Sequence, residues 1–175
     1  MKKLGGMVWP VDGNQGFLCV LVEKTTPIET TLDTPKEYIE IVKEIASSDI
    51  NELFTTIGAE QHLERVYVPT DIKFLSFIHS YAEWRRRNGC GVLLRTPQIS
   101  SFEAGVMKIK EYTSKKTIVF PENSIIRSQL MVFSKLSLKN EAECYAVSAL
   151  TQVIQSFSKR RSVISEEEPP IKNWY

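Results

Sequence analysis

Apolar residues along this chain recur in two rhythms. Short runs rich in Val, Leu, Ile and Phe, bounded by turn residues, read as strands, and longer stretches with apolar positions at i, i+3 and i+4 read as amphipathic helices. GMVWPV is a first strand and GFLCVLVEK a second. The residues between them, Asp12-Gly13-Asn14-Gln15-Gly16, carry the turn chemistry of a hairpin. IETTL reads as a third short strand. Thr34-Pro35 then predicts a helix start, with Thr34 as N-cap, Glu37 completing a capping box, and Ile39, Val42 and Ile45 at helical spacing. RVYVPTD is a buried strand ending at Asp71. IKFLSFIHSYAEWRRRNG follows as a helix with Phe74, Phe77, Ile78, Tyr81 and Trp84 or Arg85 on one face and Gly89 as its stop. CGVLLRT is a strand, Ser100 or Ser101 caps a helix over FEAGVMKIKEYT, and KTIVFP is extended. Residues 124–157 read as helical throughout, with a break near Ser137–Asn140.

Strands that lead and then alternate with helices predict an α/β fold. Its central sheet is mixed, antiparallel in the first strands and parallel afterwards, with helices on both faces. A chain of 175 residues is long enough for one domain with its own core. The expected organisation is a single domain over residues 1–160, followed by a flexible polar tail over 161–175 that contains SEEEPPIKNWY.

Composition excludes several classes. With 42% hydrophobic and 25% charged residues the chain matches neither disordered nor fibrous sequences. The cysteines Cys19, Cys90 and Cys144 are odd in number and lack a CxxC spacing, which fits a reducing, cytoplasmic setting rather than a disulfide framework. No apolar run approaches the ~20 residues that span a bilayer, so no membrane partner is expected. The net charge of +1 conceals segregation. Residues 23–64 hold three basic and ten acidic residues, net −7, whereas residues 65–116 hold ten basic and four acidic, net +6. A basic segment of this kind can present a positive face to a polyanion, or simply a solvated one.

The familiar nucleotide and hydrolase motifs are absent: there is no GxxxxGK[ST], GxGxxG, GxSxG or HExxH. His62 and His79 are the only histidines, which leaves a His-activated nucleophile with little support. The remaining chemistry lies in carboxylates at element ends. Asp12 sits in the first hairpin, Asp71 ends a strand, and Glu141 opens EAECYAVSAL, whose small residues suit close packing on a sheet. In a mixed sheet such positions can meet at one place. Converging carboxylates repel, and hard divalent cations such as Mg²⁺ or Mn²⁺ relieve that repulsion. Each acid also has a purely structural reading: Asp12 as a turn former, Asp71 as a helix N-cap, Glu141 as a first-turn acid.

VDGNQGFLCVLVE resembles the Asp-bearing first hairpin of ribonuclease H-like nucleases. RVYVPTDIKFLSFIHSYAEWRRRNGCGV, SSFEAGVMKIKEYTSKKTIVFPENSIIRSQL and EAECYAVSAL resemble successive segments of the nuclease domain of phage and herpesvirus-type large terminase subunits. The resemblance spans roughly residues 5–157 and implies a ribonuclease H-like fold. It implies Asp12, Asp71 and Glu141 as catalytic metal ligands for two divalent ions, Mg²⁺ or Mn²⁺, with Glu141 standing where the family usually has Asp. Glu143, two residues on, is the other acid of that segment. The implied activity is endonucleolytic cutting of double-stranded DNA with little sequence preference, as in viral genome packaging within a host cytoplasm. The implied partners are an ATPase motor domain or other packaging proteins, since the chain has no motor motif. Arg85, Arg86, Arg87, Lys108, Lys110, Lys115, Lys116 and Lys139 are the expected phosphate contacts, although the three arginines also suit a helix C-terminus. A catalytically inactive domain that binds DNA or a partner, and a Holliday-junction resolvase, are the competing readings.

Overall fold

A computed structural model describes residues 2–11, 13–26, 36–98, 101–134 and 137–165, the side chains of residues 138, 142 and 158–165 excepted. Six strands form one sheet: β1 (Lys3–Val8), β2 (Gly16–Thr25), β3 (Glu37–Ser47), β4 (Leu63–Tyr67), β5 (Leu93–Arg95) and β6 (Ile118–Val119). Their order is β5-β4-β1-β2-β3-β6. β1, β2 and β3 pair antiparallel, whereas β4 joins β1, β5 joins β4 and β6 joins β3 in parallel. Among the described residues five α-helices accompany the sheet: α1 (Ile50–Ala59), α2 (Leu75–Asn88), α3 (Phe102–Ser114), α4 (Ile125–Met131) and α5 (Tyr145–Ser165). The expected mixed α/β architecture is therefore present, and no described helix is long and apolar enough to cross a membrane.

Both faces of the central strands are buried, which is why β1 and β2 read as nearly continuous apolar runs. Leu4, Phe17, Cys19, Leu21, Ile39 and Ile41 face one core with Val106 and Ile109 of α3 and Ala149, Leu150 and Val153 of α5. Met7, Leu18, Val20 and Val66 face a second core with Leu53, Phe54 and Ile57 of α1 and Tyr81 of α2. α5 lies directly on β1. A Cβ built on Gly6 would fall 2.1 Å from the Ala149 carbonyl oxygen, so only glycine admits this approach.

Three expectations need correction or placement. Residues 37–47 are not helical; they form β3, paired along its length with β2. The helix-like spacing of Ile39 and Ile45 is produced by a bulge. Leu21 pairs with Ile41 but Val20 pairs with Lys43, so Val42 is an extra residue and the strand changes face there. Ile39 consequently enters the first core and Ile45 packs against the second. IETTL and Thr34-Pro35 lie outside the described residues. A helix not anticipated from sequence, α1, starts at Asp49, whose side chain accepts the Asn51 N–H at 2.9 Å. The break expected near Ser137–Asn140 is present and starts earlier: α4 ends at Met131, 3-10 turns occupy Ser137–Lys139 and Glu141–Cys144, and α5 then begins. Of the two serines that could cap α3, Ser101 does so, accepting from the Ala104 N–H at 3.1 Å.

Candidate active site

The carboxyl ends of the parallel strands β1 and β4 open onto a cavity of about 340 Å³. Val8, Trp9 and Val11 line it from the end of β1, Asn14 and Gln15 from the hairpin, and Pro69, Asp71, Lys73 and Phe74 from beyond β4. Glu141, Tyr145 and Ser148 close it from the start of α5. Two of the three expected acids, Asp71 and Glu141, thus line one cavity. Asp12 lies outside the described residues, but its neighbours Val11 and Asn14 are both lining residues. The hairpin turn there is closed by the Asn14 N–H donating to the Val11 carbonyl at 2.9 Å, with Gly13 at φ +78° in the position that needs it.

Asp71 is carried on a segment fixed from two sides. The Val68 N–H donates to the Arg95 carbonyl at 3.0 Å, and the Trp9 indole N–H donates to the Pro69 carbonyl at 2.9 Å. Trp9, 3% exposed, also stacks on Phe77 of α2 with ring centroids 5.4 Å apart. Asp71 precedes the 3-10 turn Ile72–Phe74 in the N-cap position, yet its side chain makes no capping hydrogen bond. The structural role available to it is therefore not the one its carboxylate performs. Glu141 accepts a hydrogen bond from the Ser148 hydroxyl at 2.7 Å, and Ser148 is 2% exposed, which ties the carboxylate to the first turns of α5. Glu143 is exposed and is not a lining residue.

The start of α5 is itself held from outside. The Gln129 side-chain oxygen of α4 accepts from the Ala146 and Val147 N–H groups at 3.0 and 3.2 Å. α4 in turn hangs on Glu44 of β3, whose carboxylate accepts from the Ser124 hydroxyl at 2.5 Å and the Ile125 N–H at 2.7 Å. Hydroxyl and amide capping at both helix starts satisfies donors that would otherwise be orphaned.

The expected phosphate contacts are scattered. Arg85, Arg86 and Arg87 occupy the last turn of α2, about 20 Å along the helix from Asp71. There Arg85 donates to the Cys90 carbonyl at 3.0 Å and Arg87 approaches Glu83 at 3.6 Å. Lys108 and Lys115 both engage Glu111, and these hydrogen bonds, Lys108 first, hold its carboxyl down at about 2. Lys110 and Lys116 are exposed on and just beyond α3. Lys139 is exposed two residues before Glu141. None of these eight lines the cavity; Lys73, absent from the sequence-derived set, does. Its position two residues past Asp71 was the available signal. Ser148 was available as the one hydroxyl in the otherwise small and apolar AVSAL.

Among the described residues no group of three or more His, Cys, Asp or Glu side chains is placed to hold a metal ion. Asp71 and Glu141 nevertheless supply hard oxygen donors to one cavity, and the Asp71 carboxylate is not used for capping, a donor set that suits Mg²⁺ or Mn²⁺.

No family model matches the sequence, and no curated protein matches it. Among solved structures, the large terminase from a thermophilic bacteriophage aligns with a TM-score of 0.54 at 11% identity, over 90% of this chain and 39% of that one. The fowlpox virus Holliday junction resolvase aligns with a TM-score of 0.46 at 10% identity, over 92% of this chain and 99% of that one. The chain spans about two fifths of the length of the terminase. At such identity the terminase likeness is one of fold alone, and the strand order agrees with the ribonuclease H-like mixed α/β fold expected from the sequence.

Proposed function

We propose that this chain is a metal-dependent endonuclease that cuts double-stranded DNA with little sequence preference. The observation that carries the reading is the meeting of Asp71 and Glu141 in one cavity at the carboxyl ends of β1 and β4, with the hairpin of Asp12 at its edge. Asp12, Asp71 and Glu141 are the proposed ligands of two divalent ions. Such ions, when bound, would supply an activated water and stabilise the leaving 3′ oxygen. The protein's part is to hold its carboxylates where the ions need them. Trp9 anchors the segment of Asp71, and Ser148 orients Glu141. Because a fold neighbour is a large terminase, we further propose a role in genome packaging together with an ATPase motor domain or other packaging proteins.

The test is cleavage of supercoiled plasmid in Mg²⁺ or Mn²⁺. Wild-type protein is expected to nick and linearise the plasmid, to stop in EDTA, and to lose at least about 10²-fold in rate on Asp71→Asn or Asp12→Asn. Cutting that survives EDTA or both substitutions overturns the proposal. A linear duplex and a four-way junction compared in the same assay should be cut at similar rates. Strong preference for the junction would replace the packaging reading with a resolvase one.

A further inference from the structure

We propose that Lys73 is the phosphate-contacting cation of this site, a substrate-positioning residue that meets the DNA backbone where Asp71 and Glu141 act; the inference rests on the nuclease reading. Without bound ions a cavity lined by carboxylates repels a phosphodiester, so a cation on the same wall has a function there. Lys73 is the single cation among the described residues that line the cavity. Its charge is not spent on a described carboxylate, although two share the cavity with it. The ammonium instead lies 4.9 Å from the centre of the Phe74 ring, and Phe74 is only 7% exposed, so a buried aromatic sets the direction of the lysine. Contact with an aromatic face is readily exchanged for a phosphate oxygen, which offers full opposite charge and a hydrogen bond. The approach is open: Ile72, the preceding residue, is 86% exposed. By contrast Lys108, Lys115 and Arg87 already face carboxylates, and the three arginines lie at the far end of α2.

A single phosphate contact has a measurable signature, because it releases about one condensed counterion. Binding of the full chain to a labelled linear duplex would be followed by fluorescence anisotropy in EDTA, where no cutting competes, across a series of KCl concentrations. Lys73→Ala should make the plot of log K against log salt shallower by about 0.9, whereas Lys73→Arg should restore the wild-type slope. Lys24→Ala, which removes a lysine paired with Glu40 away from the cavity, should leave the slope unchanged. In cleavage, Lys73→Ala should raise KM several-fold with a smaller effect on kcat. An unchanged slope and KM in Lys73→Ala, while wild-type protein cuts, overturns this role and leaves the nuclease reading standing. A Lys73-dependent slope in a protein that cuts nothing in Mg²⁺ or Mn²⁺ supports the contact and overturns the nuclease reading instead.

Discussion

Gly6 decides how closely α5 can approach the sheet. With a hydrogen in place of a side chain, β1 receives the backbone of α5 at Ala149, one residue after Ser148, which holds Glu141. Gly6→Ala would put a methyl group 2.1 Å from a carbonyl oxygen that belongs to a helix backbone and cannot swing aside. We expect a loss of about 3 kcal/mol, at the upper end of overpacking penalties, measured by urea unfolding. A midpoint equal to wild type would mean that α5 can lift from β1 without cost. At this scale the sequence was informative about acids and uninformative about their supports. Asp71 and Glu141 stand out because carboxylates at element ends are conspicuous. Trp9, Lys73 and Ser148 do not, because a tryptophan beside a proline, a lysine on an exposed turn and a serine in a helix each have ordinary roles. Only the cavity distinguishes them.

Among the elements, α4 is the smallest helix and the one with the most consequential attachments. Seven residues form little stability of their own. Glu44 fixes its start and Gln129 passes that position on to the start of α5. Gln129→Ala would leave the Ala146 and Val147 N–H groups without this acceptor. We expect it to cost about 1–2 kcal/mol in urea unfolding, with Gln129→Glu retaining the acceptor oxygen and most of the stability. A Gln129→Ala protein as stable as wild type would show that water replaces the amide freely. The sequence signals a break near Ser137–Asn140 but not these attachments, since residues 124–157 have helical periodicity almost throughout. The division comes from tertiary hydrogen bonds between residues 80 or more apart in the case of Glu44. β3 failed for a different reason: the bulge at Val42 moves its apolar residues from one face of the sheet to the other, so the strand has no clean period of two. The hairpin, β4, α2 and α3, whose periods and end signals agree, were legible.

For the molecule as a whole, one contribution to acid tolerance lies at the end of the sheet opposite the cavity. Glu60, just past α1, accepts from Lys3 of β1, and Lys43 of β3 lies 3.5 Å away. Burial pushes the Glu60 carboxyl up, but the hydrogen bond and charge of Lys3, with Lys43, outweigh it and hold the pKa below the ordinary 4.5. A depressed carboxyl pKa contributes stability that is present above about 4.5 and is lost as pH falls through the folded value. The stability gap between wild type and Glu60→Gln should therefore be flat near neutrality and close as the pH drops below the ordinary 4.5. Urea midpoints collected across that range check it, and a gap that widens with acid would contradict the sign.

Glu44 has one more consequence. β6 covers the outer edge of β3 only at Ile39 and Glu40, so from Ile41 to Ser47 no described strand pairs on that side. A long strand with a free edge is a template for another chain, and an extra residue or a charge on the edge is how such templates are blunted. Here the extra residue is Val42, and the charge is the same carboxylate that anchors α4. The contact that steadies the candidate site thus also places a charge on the stretch of β3 that no described strand pairs.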